Sequence, residues 1–498
     1  MATDNSMTMS GSAPATELLN LSEVKVDPAW AMRVPSALAL RRQVLAFAMV
    51  HGHVCVAHAK PIDAGCASAL KKHLKLPLKT YKADPVSLKE TLARLYSMRD
   101  EPTARVPGGE ESDSAVSLCD ELLSAAMMQQ ASDLHIDPSE NETLVRIRVD
   151  GDLHDYRPIP TSMHNAMISR FKVLSGMDIA ERRAPQDGRF RREGNDGKHI
   201  DIRVASLPTR HGERMTLRFL AAQTESLTLE RLGMDGQDLD RFSHAISRPH
   251  GMVLITGPTG SGKSTTLYAG LRRLVSQGAY NVITIEDPIE YEMERVGQVE
   301  VDSADKVSFS KALRSVLRHD PDIVMIGEIR DAETADVAIK ASLTGHLVLS
   351  TIHTNNAASA VTRLADMGVD RFLVAATLRL AVAQRLVRRL CSKCRKPRAL
   401  KEAEAIALGV PDRAGETVYD AAGCHFCANR GYIGRLGLFE LLSMDQNLSS
   451  LIAGNADETA LIKAGKASGM RALSDDGLQK ILEGQTSPKE LLSAVTLW

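Results

Sequence analysis

An α/β protein built on a parallel sheet is the class this sequence predicts, on three observations. From about Leu229 onward, short apolar runs alternate with stretches of helical periodicity, as strand–crossover–helix units do. The octapeptide Gly257-Pro258-Thr259-Gly260-Ser261-Gly262-Lys263-Ser264 stands between an apolar run, Met252 to Thr256, and a helical stretch that opens at Thr265. Three later apolar runs end in clusters of charged and polar residues. The carboxyl ends of strands are where an open parallel sheet presents groups to a ligand.

The bulk properties set outer bounds. A chain of 498 residues is long enough for about three domains. Apolar residues make up 44% and charged residues 25%, an ordinary globular composition. The formal net charge of −1 supplies no whole-chain basic field, and aromatics at 4% are poor material for base stacking. Both count against a nucleic-acid partner. No apolar run reaches 18 residues; Val44 to Ala59 is interrupted by His51, Gly52 and His53. The N-terminus lacks the basic and apolar regions of a signal peptide, so a cytoplasmic location is expected.

Taken in order, residues 1–28 are polar and expected to be flexible. Residues 29–98 form a small α/β module that ends in a helix, Pro85 to Tyr96, and carries no catalytic motif. Residues 99–114 are rich in Pro, Gly and charge and are read as a linker. A second module, 115–228, opens with an amphipathic helix, Val116 to Gln130. Strands follow at Leu134–Ile136, Leu144–Val149, His199–Val204 and Arg214–Leu220, joined by turns such as Asp150-Gly151. Residues 229–498 are the strand–helix domain, with a lobe at about 390–430 and a helical region from Glu440 to Trp498. Cys55, Cys66 and Cys119 sit among apolar neighbours and are expected to be buried thiols.

The octapeptide fits the P-loop pattern G-x-x-x-x-G-K-[S/T] at every position, in the strand–loop–helix setting that the pattern requires. Gly257, Gly260 and Gly262 let backbone N–H groups converge on a phosphate chain, and the helix behind adds its positive end. Pro258, Thr259, Ser261 and Thr265 complete the cradle. Lys263 is expected to reach the β- and γ-phosphates and Ser264 to bind Mg²⁺. ATP with Mg²⁺ is the expected ligand.

Three clusters follow. Val282 to Ile285 runs into Glu286, Asp287, Pro288, Ile289 and Glu290. Ile323 to Ile326 runs into Gly327, Glu328, Ile329, Arg330 and Asp331. Leu347 to Thr351 runs into Ile352, His353 and Thr354. The second resembles a Walker B strand with Gly327 where the usual Asp stands. Glu328 is then the candidate to orient or deprotonate the attacking water. Glu286 or Asp287 could anchor Mg²⁺ through water; the plainer reading of Glu286, Asp287 and Glu290 is a solvated acidic turn. Arg330 and Asp331 could simply pair with each other at the surface. His353, at a strand end, is placed to sense the γ-phosphate, and His346 less so.

Cys391, Cys394, Cys424 and Cys427 form two C-x-x-C pairs separated by 29 residues. In a cytosolic chain this favours a closed tetrahedral zinc site of structural type over redox dithiols. In the basic run Arg385 to Arg389, Leu386 and Leu390 interleave at helical spacing, which predicts a helix face in a subunit contact.

Four ordered motifs now carry a resemblance that runs from about residue 115 to the C-terminus. They are Gly257 to Ser264, Thr284 to Glu290, Gly327 to Asp331 and Thr344 to Asn355. They are similar to the Walker A, Asp-box, Walker B and His-box motifs of the type II secretion and type IV pilus assembly ATPases. Ala131 to Pro138 and Gly212 to Arg218 resemble that family's N-terminal signatures. The resemblance implies a RecA-like P-loop core, a preceding PAS-like α+β domain and a hexameric ring. It implies that Arg203 and Arg218, with Arg210 as a weaker candidate, reach the nucleotide's phosphates. It also implies an inner-membrane platform protein and a membrane-anchored docking protein as partners, peripheral membrane association and no nucleic acid. The tetracysteine lobe is common in assembly and secretion members and generally missing from retraction members. Three other readings stand beside this one: a pilus retraction motor, a RecA-like nucleic-acid motor, and a scaffold that binds nucleotide without turnover.

Overall fold

The computed structural model describes residues 18–96, 110–193, 199–220, 228–278, 280–301 and 308–495. It separates into two compact units, Met1–Gln129 with Cys424–Asn429 and Gln130–Gly423 with Arg430–Trp498.

In the first unit, β1 (Val44–Val50) and β2 (His53–His58) pair antiparallel, and β3 (Leu78–Lys82) lies parallel to β2. The near-continuous apolar run of β1 buries its first five residues, as a strand covered on both faces must. Helix Pro85–Tyr96 spans the residues expected of it, and its Tyr96 hydroxyl donates to the Ala31 carbonyl at 2.9 Å. Cys55, Cys66 and Cys119 are buried thiols, as expected. Helix Glu110–Met128 starts inside the stretch read as a linker, so residues 110–114 are helical. The rest of that linker and residues 1–17 lie outside the described residues, whereas residues 18–28, expected to be flexible, are fixed by burial of Leu19, Leu21, Val24 and Val26 in the first unit's core.

The second unit holds two large sheets. One is antiparallel: β4 (Asp133–Pro138), β5 (Glu142–Val149), β6 (Asp152–Pro160), β7 (Gln186–Glu193), β8 (His199–Thr209) and β9 (Gly212–Leu220), in the order β6-β5-β4-β9-β8-β7. The strict alternation of burial along β5 and β9 marks one face on the core and one open.

The other sheet consists of β10 (Gly251–Thr256), β11 (Val282–Glu286), β12 (Val296–Glu300), β13 (Ile323–Ile326), β14 (Leu347–Ile352), β15 (Leu378–Leu390) and a last strand. After the small hairpin of β16 (Lys396–Ala399) and β17 (Thr417–Asp420) comes that last strand, β18 (Tyr432–Ser443). The order is β12-β11-β13-β14-β10-β15-β18, parallel except for the antiparallel β15–β18 pair. β10 lies inside the sheet, between β14 and β15, and is fully buried. Its Met252 and Leu254 enter one core cluster, while Val253 and Ile255 enter the other.

Two expectations are corrected here. The run Arg385 to Leu390 is strand β15, not a helix face: antiparallel pairing to β18 claims it, and both Val387 and Leu390 are buried. Glu440 to Ser443 continue β18, so the terminal helices begin only at Gln446.

Candidate active site

The P-loop bridges β10 and helix Lys263–Ser276. Gly257 has φ 152° and Gly262 φ 88°. A Cβ at Gly257 would stand 2.5 Å from the Gln384 carbonyl, and one at Gly262 2.8 Å from Gln384 Nε2. Gly257 is thus required by close approach of the β15 backbone, and Gly262 by its left-handed backbone. Lys263 Nζ donates to the carbonyls of Gly257 (2.9 Å) and Pro258 (3.1 Å). The ammonium rests against its own loop, and desolvation lowers its pKa.

A cavity of about 500 Å³ opens over this loop, walled by residues 259–265 and by Glu286, Asp287, Glu290, Glu328, Arg330 and His353. Register places these groups together: β11, β13 and β14 run side by side and end at one level. Glu328 is largely enclosed, with 14% of its side chain exposed. His353 Nε2 lies 3.2 Å from its Oε2, and the Arg330 guanidinium contacts its Oε1.

Arg330 therefore does not pair with Asp331. It reaches Glu328, and also Asp287 at 3.8 Å. Asp331 instead caps helix Ala332–Leu343, accepting from the Thr334 N–H at 2.8 Å.

Glu286 is 3% exposed, which removes it from any solvated turn. It accepts from the Tyr268 hydroxyl, from Thr284 Oγ1 (2.6 Å) and from Gln298 Nε2 (3.2 Å). Burial, together with the neighbouring carboxylate, raises the Tyr268 pKa. Glu290 hydrogen-bonds to Ser264, and its place inside the cleft raises its pKa against the pull of that hydroxyl. Asp287 is exposed, at a cis peptide bond to Pro288.

Arg218 lines the same cavity and its Nε donates to Asp133 at 3.0 Å. Arg203 is not on that wall; it lines two adjoining cavities instead. Arg210 sits at the β8–β9 turn, and His346 Nδ1 lies 3.0 Å from the Ala341 carbonyl. The sequence reading passed over Tyr268, Gln298 and Arg435. Arg435 comes from β18 and lines the P-loop cavity.

Residues 109–493 match the family model described as Type II/IV secretion system protein, and residues 15–102 match an MshEN domain. This chain is a member of the type II/IV secretion system family. Among its relatives, the type II secretion system protein E of Pseudomonas aeruginosa is 45% identical over 77% of this chain and 76% of its own length. The type IV pilus assembly ATPase PilB of Myxococcus xanthus is 38% identical over 95% of this chain and 88% of its own. A crystal structure of the pilus retraction motor PilT with bound ADP matches with a TM-score of 0.52 at 25% identity, covering 75% of this chain and 95% of that one. The Legionella pneumophila ATPase DotB matches with a TM-score of 0.56 at 24% identity, covering 79% of this chain and 97% of that one. The seven-stranded sheet with its helices is a RecA-like P-loop core, and this protein is an ATPase.

This ATPase also carries a cluster with the donor set for a metal. The sulfurs of Cys391, Cys394, Cys424 and Cys427 all lie within 4.8 Å of one another. The Cys424–Cys427 separation is 3.8 Å, and Zn–S bonds of about 2.3 Å place tetrahedral sulfurs about that far apart. The Cys424 N–H also points at Cys427 Sγ, 3.2 Å away. The four thiols fit a structural zinc ion. His425 is engaged elsewhere, its ring 4.6 Å from that of Tyr81. No helix among the described residues is long and apolar enough to cross a membrane.

Proposed function

We propose that this ATPase works as a cytoplasmic homo-hexamer, peripheral to the inner membrane, that drives type IV pilus assembly or type II protein secretion. In this reading its partners are an inner-membrane platform protein and a membrane-anchored docking protein. Residues 29–98 are the docking module, 115–228 the PAS-like domain and 229–498 the motor domain with its zinc lobe. Support comes from the names of the relatives above. The pilus assembly relative aligns with 95% of the chain, including the N-terminal module, whereas the secretion relative aligns with 77%. That longer match favours pilus assembly.

The observation that carries the mechanism is Glu328, enclosed above the P-loop between His353 and Arg330. Backbone N–H groups of residues 259–265 and the Lys263 ammonium bind the β- and γ-phosphates. Mg²⁺, when bound, offsets phosphate charge, and Ser264, Glu290, Asp287 and Glu286 are the groups on hand to hold it or its waters. Glu328 takes the proton of the attacking water while His353 fixes the carboxylate. Arg330 leaves Glu328 for the γ-phosphate as nucleotide arrives, which uncovers the base. Arg218, and Arg203 on domain closure, neutralise charge developing in the transition state.

Replacing Glu328 with Gln in the native host and counting surface pili and secreted proteins tests this. Loss of pili alone means pilus assembly; loss of secretion alone means type II secretion. Excess pili would mean retraction. If both are unchanged, the motor serves another process.

A further inference from the structure

The six-stranded sheet contains a row that like charges ordinarily avoid. Arg189 on β7 stands directly opposite Arg203 on β8, which stands directly opposite Arg218 on β9. Direct cross-strand partners share a face, with Cβ atoms about 4.5–5.5 Å apart, and like charges so placed destabilise a sheet. Arg218 is offset by Asp133, the next residue in the row. Among the described residues Arg189 has one loose carboxylate contact, 4.0 Å from Glu300, with 77% of its own side chain exposed. Arg203 has no carboxylate within 4.0 Å among the described residues.

This row runs along three adjoining cavities. Arg218 lines the P-loop cleft. A second cavity, about 610 Å³, is lined by all three arginines. A third, about 420 Å³, keeps Arg189 and Arg203. The first and second share Arg218, Asp287 and Pro288; the second and third share Arg189, Arg203 and Glu300.

We propose that Arg218, Arg203 and Arg189 form a stepped anion track that takes inorganic phosphate out of the cleft after ATP hydrolysis, with Arg189 as the outer rung. The proposal rests on the chain's being an ATPase. Hydrolysis breaks the bond from the γ-phosphorus to the β–γ bridging oxygen. The water oxygen bonds to phosphorus and its proton passes to Glu328, which leaves ADP and a doubly charged phosphate beside Arg218. The outer two rungs, Arg203 and Arg189, offer that anion guanidiniums with fewer close carboxylates to displace than Arg218 has, which is held by Asp133 at 3.0 Å. Glu300, Asp287 and Asp187 on the second cavity's wall keep the hold weak. A product that must leave needs a weak hold.

The test measures ATP turnover by the full chain against added inorganic phosphate, with potassium chloride at matched ionic strength as the screening control. The unmodified protein is expected to be inhibited by phosphate beyond the chloride effect. Arg189→Gln should raise the phosphate inhibition constant about two- to fivefold, in the range of an exposed charge contact. Its KM for ATP should stay within about twofold, since Arg189 is outside the P-loop cleft. Glu300→Gln should move the inhibition constant the other way, because it frees Arg189. The track is refuted if phosphate does no more than chloride, if Arg189→Gln leaves the constant unchanged, or if KM rises in step with it. Turnover without added phosphate reports separately on the hydrolysis reading.

Discussion

His353 Nε2 lies 3.2 Å from Glu328 Oε2, joining the end of β14 to the end of β13 directly above the P-loop. The carboxylate can only accept in this contact, so the imidazole donates, and its ring fixes which oxygen faces the cleft. Glu328→Gln keeps the shape and removes the base. We expect kcat to fall by about a hundredfold or more with KM for ATP changed by less than about threefold. His353→Gln, which retains a donor, should cost less than His353→Ala. Equal losses from the two would mean that His353 acts on the nucleotide and not through Glu328.

Tyr268 binds the P-loop helix to the acidic cluster, because its hydroxyl is a donor to buried Glu286. Tyr268→Phe takes away that donor and leaves a buried carboxylate short by one hydrogen bond. Such a loss costs about 1–3 kcal/mol, or a few degrees in the thermal midpoint of a domain this size. Differential scanning calorimetry of the two proteins checks it; an unmoved midpoint would show that water replaces the hydroxyl at Glu286.

How far the sequence could be read follows the distance over which each signal acts. The P-loop and the three acidic or histidine clusters are local, and strand order brings their ends together without further instruction. Arg330 was misread because adjacent residues leaving a strand point apart: Asp331 turns back to cap its helix while Arg330 reaches Glu328. The β15 segment was misread because its basic and apolar residues, Arg385-Leu386-Val387-Arg388-Arg389-Leu390, follow no period of two, so leucines four apart mimic a helix. The Tyr268–Glu286–Gln298 network joins three elements with no shared spacing. Arg435 reaches the cleft from beyond the cysteine lobe. Pairing of this kind is written in the fold and not in any one segment.

His164 gives the six-stranded sheet domain a pH dependence of defined sign. Its side chain is 4% exposed, with Nδ1 3.1 Å from Thr143 Oγ1, and desolvation holds its pKa below the ordinary histidine value. The unfolded chain therefore takes up a proton at a pH where the folded chain does not. Its contribution is complete above about pH 6.5 and is lost as pH falls from there toward the folded pKa. Urea midpoints at pH 7.5 and pH 5.5 should differ by less in His164→Asn than in the unmodified protein. A slope that survives the substitution would assign the effect to other groups, His135 first among them, since burial lowers it too.

The four sulfurs of the cysteine lobe make a prediction about composition as well as stability. Protein purified without chelator should contain about one zinc per chain, as a four-thiolate site of this geometry implies. Cys391 and Cys427 are buried and the other two less so, so Cys427→Ser should abolish the metal more completely than Cys394→Ser. Cys391 also anchors the lobe to the sheet: its N–H donates to the Gly431 carbonyl at 2.9 Å, where β15 ends and β18 is about to begin. Removing zinc should therefore loosen that end of the β15–β18 ladder before the P-loop side. Hydrogen exchange at Cys391 and Tyr432 should rise on chelation, while Ala381 and Ala383, deep in the sheet, stay protected. Uniform exchange along the ladder, or purified protein with no zinc and four reactive thiols, would show that the cysteines do not form a metal clamp.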